Sequence, residues 1–396
     1  MPRRLSVPTR TSHPYDTPMT HGGALAVRPN PDRLRLFLVL LPLLGCGHTE
    51  PFSPAPPGVD QPFDAGPPAR LTLNQGPDRG AAWLPDGSGI LYSAQQLGRP
   101  DSDVCLAVIP PGGGSQRQLT CDLTPTGSDS TDAFESPAMA LDGRLAFVEV
   151  GSRIRAITPG SSAISVGSLI NPTSRTRLQP LPYTLPGGPL HSGASQLRWL
   201  TPDLLVYLGE RVDYHHTCDT CVEWDTITTG VDVVSLNVSQ PGSVPQRIPG
   251  TENASGVSVG GTTDEIYYTL TGDSRVYRRT LSTGDVVIAH DFGAAGMARD
   301  VHVVGTRMAA VVGGRIAYGI DPAFGPTQWD SGGVLHVVDI ESGSDVALDG
   351  PGLFRRPQIS PSGSGLVVEI YPLVIGDNPP DTLVSRRGDL YLYGLP

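Results

Sequence analysis

An apolar segment, a turn rich in Gly, Pro or Asp, and a second apolar segment recur six times along this chain of 396 residues. The copies begin at residues 83, 139, 199, 259, 303 and 359, so they follow one another at steps of 44 to 60 residues. In the first copy, Asp86-Gly87 is a dipeptide that tolerates the positive φ angles of a hairpin turn. Each copy predicts a β-hairpin, and repetition at a nearly constant step is typical of a fold built from equivalent units.

Further apolar segments after the hairpins predict four strands in each unit. VCLAVIP and QRQLTC follow the first hairpin, and RIRAITP and AISVGSL follow the second. The sixth unit ends at DLYLYGLP after only three strands, so we expect residues 69–74 to add the fourth strand beside residues 389–393. The pattern therefore predicts an all-β fold, a six-bladed β-propeller of four-stranded antiparallel blades whose ring is closed by an N-terminal strand.

One segment adds a resemblance to a known family. RLTLNQGPDRGAAWLPDGSGILYS, residues 70–93, resembles the repeat of the TolB-type propellers, in which a strand ending in Leu-Thr precedes a polar loop, Trp-Ser-Pro-Asp-Gly and an apolar strand. Leu84 takes the place of the Ser, and ISPSG in the sixth unit and LDG in the second are partial copies. The resemblance spans residues 69–396 and implies a six-bladed propeller.

The N-terminal region resembles the leader of a bacterial lipoprotein. RLRLFLVLLP has the cationic start and short apolar run of a signal peptide, and the following LLGC resembles a lipobox whose Cys46 becomes acylated. We expect residues 1–45 to be the signal peptide, with Met19 as an alternative start, and the Pro-rich residues 46–68 to be an extended tether. An ordinary signal peptide that happens to contain a Cys is the alternative. Gly47 favours the outer membrane.

Cys105 and Cys121 are equidistant from Gly113, which lies in a Pro-Pro-Gly-Gly-Gly turn. If the flanking strands pair about that turn, the two sulfur atoms face each other, and export provides the oxidising compartment that a disulfide needs. The spacing therefore predicts a cross-strand disulfide. Two free buried thiols are the alternative.

The segment DYHHTCDTCVEWD places His215, His216, Cys218 and Cys221 within seven residues, in an enlarged third unit. Imidazoles and thiolates at such spacing are familiar zinc ligands. A structural zinc site, however, usually has a second ligand pair at a matching distance, and the sequence contains none. We predict a disulfide between Cys218 and Cys221 and no bound metal or other cofactor, with a zinc site formed by all four residues as the alternative.

Several classes of function are disfavoured by the sequence. It contains no Walker-type phosphate loop, no Gly-x-Ser-x-Gly nucleophile elbow and no His-Glu-x-x-His motif. The net charge of −11 and the absence of Lys do not suit nucleic acid or anionic lipid, so we expect membrane attachment through the lipid anchor only. Acidic residues between strands could form a calcium site or a glycosidase pair, but solvated turns are the simpler interpretation: Asp101, Asp103, Asp129, Asp132 and Glu135.

The favoured function is a non-catalytic binding scaffold in the cell envelope, a monomer on the periplasmic face of the outer membrane whose partner is a protein, a peptide or a glycan. The alternative is an enzyme, either a glycan-active or a metal-dependent hydrolase or lyase using the acidic residues or the cluster around His215 and Cys218. The loops that enter the innermost strands converge on the central channel, so we expect the binding residues there. These loops hold Asp78, Arg79, Glu135, Arg198, Arg299, Asp300, Arg355 and Arg356.

Overall fold

The computed structural model describes most of the chain from residue 68 onward. The described ranges are 68–73, 78–95, 104–121, 131–151, 162–172, 174–185, 188–216, 224–240, 242–314, 316–321, 325–330, 332–350, 352–375, 382–384 and 388–395. The predicted signal peptide with Met19, the lipobox with Cys46, nearly all of the tether, and Cys218 and Cys221 lie outside these ranges. No helix among the described residues has the length and apolar character needed to cross a membrane.

We divide the described strands in chain order into six groups, units 1 to 6, within which neighbouring strands are antiparallel. A parallel pairing of Val104 with Ala133 joins units 1 and 2 in one sheet. A short strand, β1 (Ala69–Arg70), precedes unit 1. Unit 1 contains β2 (Asp78–Trp83), β3 (Ile90–Gln95), β4 (Val104–Ile109) and β5 (Arg117–Thr120). Unit 2 contains β6 (Thr131–Met139), β7 (Arg144–Gly151), β8 (Ser162–Ser168) and β9 (Thr176–Leu181). Unit 3 contains β10 (Tyr183–Thr184), β11 (Leu190–Thr201), β12 (Leu204–His216), β13 (Trp224–Asn237) and β14 (Gln246–Arg247).

The second half of the chain continues the series. Unit 4 contains β15 (Ala254–Val259), β16 (Glu265–Leu270), β17 (Arg275–Thr280) and β18 (Val286–Asp291), and a 3-10 turn follows at Gly293–Ala295. Unit 5 contains β19 (Ala298–Val304), β20 (Arg307–Val312), an inserted hairpin of β21 (Ile316–Asp321) and β22 (Gly325–Asp330), then β23 (Val334–Asp339) and β24 (Asp345–Leu348). Unit 6 contains β25 (Gly352–Ile359), β26 (Gly365–Ile375), β27 (Thr382–Val384) and β28 (Asp389–Gly394).

The N-terminal strand completes the last unit, as the sequence predicts. β1 pairs with β28 through Ala69 with Leu392 and Arg70 with Tyr391, so unit 6 has the strand order β25, β26, β28, β1. The Leu71 N–H extends the pairing by donating to the Leu390 carbonyl at 2.8 Å. The protein is therefore an all-β propeller whose first and last described strands pair in one sheet.

The hydrophobic core lies between neighbouring units and explains the unbroken apolar runs in the sequence. Ile90 and Tyr92 pack with Val367 of unit 6, whereas Leu91 points the other way and packs with Phe147 of unit 2. Alternate residues of a strand face opposite sides of its sheet, so a strand covered on both faces is apolar at every position. Full burial of a side chain such as Leu91 contributes about 2 kcal/mol.

Tryptophan side chains tie neighbouring units together at equivalent positions. Trp83 Nε1 donates to the Gln358 carbonyl at 2.8 Å, which joins unit 1 to unit 6. Trp199 Nε1 donates to the Ala138 carbonyl at 3.1 Å, which joins unit 3 to unit 2. Trp83 belongs to the sequence motif that resembles the TolB-type repeat, and this hydrogen bond gives a structural reason for a Trp at that position.

The disulfide predicted between Cys105 and Cys121 is present, with the two Cα atoms 4.7 Å apart. It forms because β4 and β5 pair about the turn at Gly113, with Leu106 opposite Thr120 and Cys121 the next residue. The Gly113 N–H donates to the Pro110 carbonyl at 2.9 Å, and Gly113 itself has a φ of 74°, which favours glycine.

The strand assignment in unit 2 was wrong by one strand. The sequence favours residues 153–159 as the third strand and residues 163–169 as the fourth. In the structure Ser162–Ser168 is the third strand, paired with β7, and Thr176–Leu181 is the fourth. Residues 153–159 lie outside the described ranges. Both segments carry the same alternating pattern, so the sequence alone does not distinguish them. Ile164 is fully buried against unit 3.

Candidate functional site

The inner strands of the units share an irregularity where they approach the channel. Each pairing of an inner strand with the next strand skips residues at the same place, as between Arg79 and Ala82 in β2 or Arg299 and His302 in β19. Five of the six inner strands place a residue with positive φ there: Gly80, Ser136, Gln196, Asp300 and Arg356, with φ between 46° and 65°. β-Bulges of this kind re-aim side chains next to functional sites.

The residues predicted to bind at the channel mouth lie at these bulges or beside them. They stand within the inner strands, not in the loops that lead into them: Asp78 and Arg79 in β2, Glu135 in β6, Arg198 in β11, Arg299 and Asp300 in β19, Arg355 and Arg356 in β25. A bulge adds a residue and interrupts the alternation of apolar and polar positions, so the sequence pattern does not mark these positions as parts of strands.

Asp300 is a hub that joins three units. Its Oδ1 accepts from Gln196 Nε2 at 2.6 Å, and its Oδ2 accepts from the Arg356 backbone N–H at 3.3 Å. Arg355 Nε lies 3.7 Å from the same Oδ2. Gln196 in turn accepts from the Val257 N–H at 3.1 Å, so the chain of contacts reaches unit 4 as well. Asp300 is 4% exposed, and these donors supply the compensation that a buried carboxylate requires.

Glu369 in β26 is a second hub, and the sequence analysis missed it. This fully buried carboxylate accepts from the Gly80 N–H at 2.6 Å and from the Tyr371 hydroxyl at 3.1 Å, and Arg356 Nη1 lies 3.3 Å from Oε1. The negative charge of Glu369 raises the pKa of Arg356, and burial raises the pKa of Tyr371. The sequence signal that could have identified Glu369 is that it is the single acidic residue inside the apolar run GLVVEIY.

The other predicted residues differ in their surroundings. Arg79 Nη2 lies 3.7 Å from Glu135 Oε1, which links unit 1 to unit 2. The guanidinium of Arg299 lies against Gly314, where an added Cβ would come 3.2 Å from Nη2. Asp78 is fully buried, and its backbone N–H donates to the Gly388 carbonyl at 2.8 Å. Most of the predicted set therefore takes part in contacts between units.

Arg198 has a distinct environment. Its Nη1 donates to the Leu197 carbonyl at 2.9 Å, and its buried Nε has no hydrogen-bond partner among the described residues. Burial lowers the pKa of Arg198 to about 10, with Asp300 opposing and Arg356 reinforcing the shift. His302 accepts from the Ile359 N–H through Nδ1 at 3.0 Å. Burial, and then the charge of Arg198, lower the pKa of His302 well below its usual value, so the imidazole is neutral.

A cavity of about 300 Å³ opens beside these residues, between units 2 and 3. Glu135 and Glu210 line it together with small side chains, among them Ser195. Gly193 provides the room, because an added Cβ there would lie 2.8 Å from Glu210 Oε2. Two carboxylates in one cavity could serve acid and base chemistry or could bind hydroxyl groups.

A buried polar cluster supports the unit 3 side of the site. His191 Nε2 lies 3.1 Å from Asp232 Oδ2, and Arg211 Nε lies 3.4 Å from the same oxygen. Tyr183 stacks on His191 with ring centroids 5.2 Å apart. Burial lowers the pKa of His191 despite the neighbouring carboxylate. The cluster is enclosed by protein, so its evident role is to hold β11, β12 and β13 together.

The predicted cluster in unit 3 is described only in its backbone. His215 and His216 end β12, where they pair with Asp225 and Trp224 of β13, and Cys218 and Cys221 belong to the connection outside the described residues. Asp101, Asp103 and Asp129 also lie outside, and Asp132 lies within β6. In the part of the chain that is described, no three His, Cys, Asp or Glu side chains are grouped as metal ligands.

Comparison with models of known protein families gives no match, and comparison with curated proteins gives none either. Among solved structures, the chain is similar to a gluconolactonase from Xanthomonas campestris, with a TM-score of 0.52, 15% identity, and coverage of 86% of this chain and 99% of that one. It is also similar to TolB from Acinetobacter baumannii, with a TM-score of 0.47, 14% identity, and coverage of 77% and 65%. A third similar structure is the calcium-binding protein regucalcin from Agrobacterium tumefaciens, with a TM-score of 0.48, 11% identity, and coverage of 83% of this chain and 93% of that one. The likeness to the gluconolactonase shows the fold alone, which is a β-propeller.

Proposed function

We propose that this protein is a non-catalytic binding module of the bacterial cell envelope, a TolB-like propeller of six blades that binds a protein, peptide or glycan at the mouth of its channel. The observation that carries the proposal is the convergence of charged residues from five of the six units on the bulges of the inner strands. Asp300 and Glu369 fix these residues through contacts between units, so the donors and acceptors are ordered before a ligand arrives. Such preorganisation lowers the entropic cost of binding.

Capture from detergent-solubilised envelope, followed by mass spectrometry, tests this function. We expect the full-length protein and an Arg278→Gln variant to capture the same ligand, because Arg278 lies on β17, away from the inner strands. An Arg355→Gln variant should capture less of it, since Arg355 lies at the bulge of β25. Equal capture by all three proteins would contradict binding at the channel mouth.

The proposed location rests on the N-terminal sequence. Acylation at Cys46 would attach the protein to the membrane, and the Pro-rich tether would separate the lipid from a monomeric propeller at the periplasmic face of the outer membrane. The negative net charge argues against anchoring by basic patches and against nucleic acid. Labelling with a palmitate analogue tests the anchor, and label retained by a Cys46→Ser variant would refute it.

The cavity between units 2 and 3 favours a second function, hydrolysis of a glycan. Glu135 and Glu210 would then be the paired carboxylates, and no metal or other cofactor is required. Release of reducing ends from envelope glycans should be abolished in Glu135→Gln and in Glu210→Gln variants. Release by the wild-type protein that persists in both variants would exclude this site.

A further inference from the structure

One arginine at the channel mouth differs from the other four. Arg79 lies near Glu135, Arg355 near Asp300 and Arg356 near Glu369, and Arg299 also has a partner. Among the described residues, no carboxylate oxygen lies within 4 Å of the Arg198 guanidinium. Asp300 accepts hydrogen bonds from Gln196 Nε2 and from the Arg356 N–H, and its ion-pair contact is with Arg355, at 3.7 Å.

His302 in unit 5 occupies the position equivalent to that of Arg198 in unit 3. Arg198 is the residue at which β11 resumes pairing after its bulge, and His302 is the residue at which β19 resumes pairing after its own. The equivalent registers place the two residues at the same depth. Gln196 and Asp300, two residues before Arg198 and His302 respectively, are joined by a hydrogen bond of 2.6 Å, so β11 and β19 approach each other at this point.

Both side chains offer hydrogen-bond donors. The Nδ1 atom of His302 accepts from the Ile359 N–H, so the proton of the neutral ring belongs on Nε2. The Arg198 guanidinium carries five N–H donors, of which one is used by the Leu197 carbonyl. A pair that presents donors and no acceptor fits the oxygen atoms of an anion.

We propose that Arg198 and His302 bind an anionic group, the carboxylate or the phosphate of the ligand that enters the channel mouth. This inference rests on the proposed function and names the chemistry of its ligand. A guanidinium whose Nε is buried is normally paired with an anion, and the ligand supplies the anion that the described chain does not place beside Arg198. Arg favours planar, bidentate recognition of carboxylate and phosphate.

Titration calorimetry of the full-length protein with inorganic phosphate and, separately, with acetate tests the proposal at constant ionic strength. We expect saturable binding of at least one anion, and the stronger one identifies the source of the charge. Arg198→Gln should weaken this binding at least tenfold, whereas Arg278→Gln should leave it unchanged. Absence of saturable binding of both anions, or equal binding by Arg198→Gln, would overturn the proposal.

A second measurement on the wild-type protein does not depend on the folding of a variant. Phenylglyoxal modifies accessible arginine side chains, and peptide mass spectrometry locates the products. The bound anion should protect Arg198 and leave Arg278 reactive; equal modification of Arg198 with and without the anion would contradict the proposal. Capture of an envelope ligand without anion binding would refute this inference alone, whereas anion binding without capture at the channel mouth would refute the proposed function.

Discussion

Replacement of Glu369 by Gln should strongly destabilise the propeller. The carboxylate is fully buried and accepts from the Gly80 N–H, the Tyr371 hydroxyl and the Arg356 guanidinium. An amide keeps one acceptor but turns an NH₂ group towards donors, and it leaves the charge of Arg356 without its counter-ion. Removing one partner of a buried pair costs about 3–5 kcal/mol, so we expect a loss of that size in the free energy of unfolding.

The matched control is Glu265→Gln. Glu265 also pairs with an arginine, but Arg278 Nε is 3.9 Å away and the two side chains are 23% and 43% exposed. Exposed pairs contribute about 0–1 kcal/mol, so this variant should lose less than about 1 kcal/mol. Both proteins have the same change of charge, and only the burial and the contacts differ.

Urea unfolding followed by circular dichroism measures both losses, provided that the dependence on urea concentration stays the same. A double variant, Glu369→Gln with Arg356→Gln, should recover part of the loss because no unpaired charge remains buried. If Glu369→Gln costs no more than Glu265→Gln, then Glu369 does not hold the units together, and the argument for a preordered channel mouth fails.

Three further predictions concern ring closure, pH and the unassigned cysteines. Leu71→Ala should lower the free energy of unfolding by about 2–4 kcal/mol, because the Leu71 side chain in the closing segment is only 5% exposed. Leu73→Ala is the control: this side chain is 69% exposed, so its loss should change the free energy of unfolding by less than about 0.5 kcal/mol. Equal effects of the two variants in urea unfolding would contradict closure by this segment. The pKa of His302 is lower in the folded than in the unfolded protein, so the unfolded state binds the proton first and stability falls as pH drops below 6.5. Between pH 7.5 and pH 5, a His302→Asn variant should therefore lose less stability than the wild type. The difference between the two losses in the free energy of unfolding should reach up to about 1.4 kcal/mol for each pH unit below 6.5. Equal losses in the two proteins would refute this prediction. Thiol counting on denatured, unreduced protein with metal analysis should find no thiol and no zinc at Cys218 and Cys221; two thiols with one zinc would establish the alternative.

The sequence predicted the units because their packing requires a particular pattern. Ile90, Leu91 and Tyr92 must all be apolar when a strand is covered on both faces, and the turn that precedes them must accept positive φ. The closing strand was predictable for a similar reason, because the sixth unit lacked a partner for β28. These features depend on contacts between residues that are close in sequence or on a count of strands.

The channel mouth was only partly predictable. The sequence located Arg198 and Asp300 near the channel, but Ser136 and Gln196 adopt positive φ without being glycine, so no local signal marks their bulges. Glu369 was missed because its partners are the Gly80 N–H and the Arg356 guanidinium, and the strand pattern of the sequence does not show that these groups lie beside it. Which acid joins which arginine depends on side-chain geometry across units, and the sequence carries that information only indirectly.

Arg198 is the residue at which stability and binding should oppose each other. Burial lowers its pKa from 12.5 to about 10, so the folded protein disfavours the charged form that exists at neutral pH. The whole shift corresponds to about 3 kcal/mol, and because the side chain is partly exposed and retains some hydration, we expect Arg198→Gln to raise the free energy of unfolding by about 1 kcal/mol.

The measurement is urea unfolding at pH 7.5 in a buffer without phosphate or carboxylate, because a bound anion would stabilise the wild type and hide the gain. The matched comparison is Arg355→Gln, which removes an arginine 3.7 Å from Asp300 and should lower stability instead. A gain at Arg198 that disappears on addition of the anion is the result expected of a binding residue kept at a cost to stability. Equal destabilisation by both variants would mean that Arg198 is a structural arginine like its neighbours.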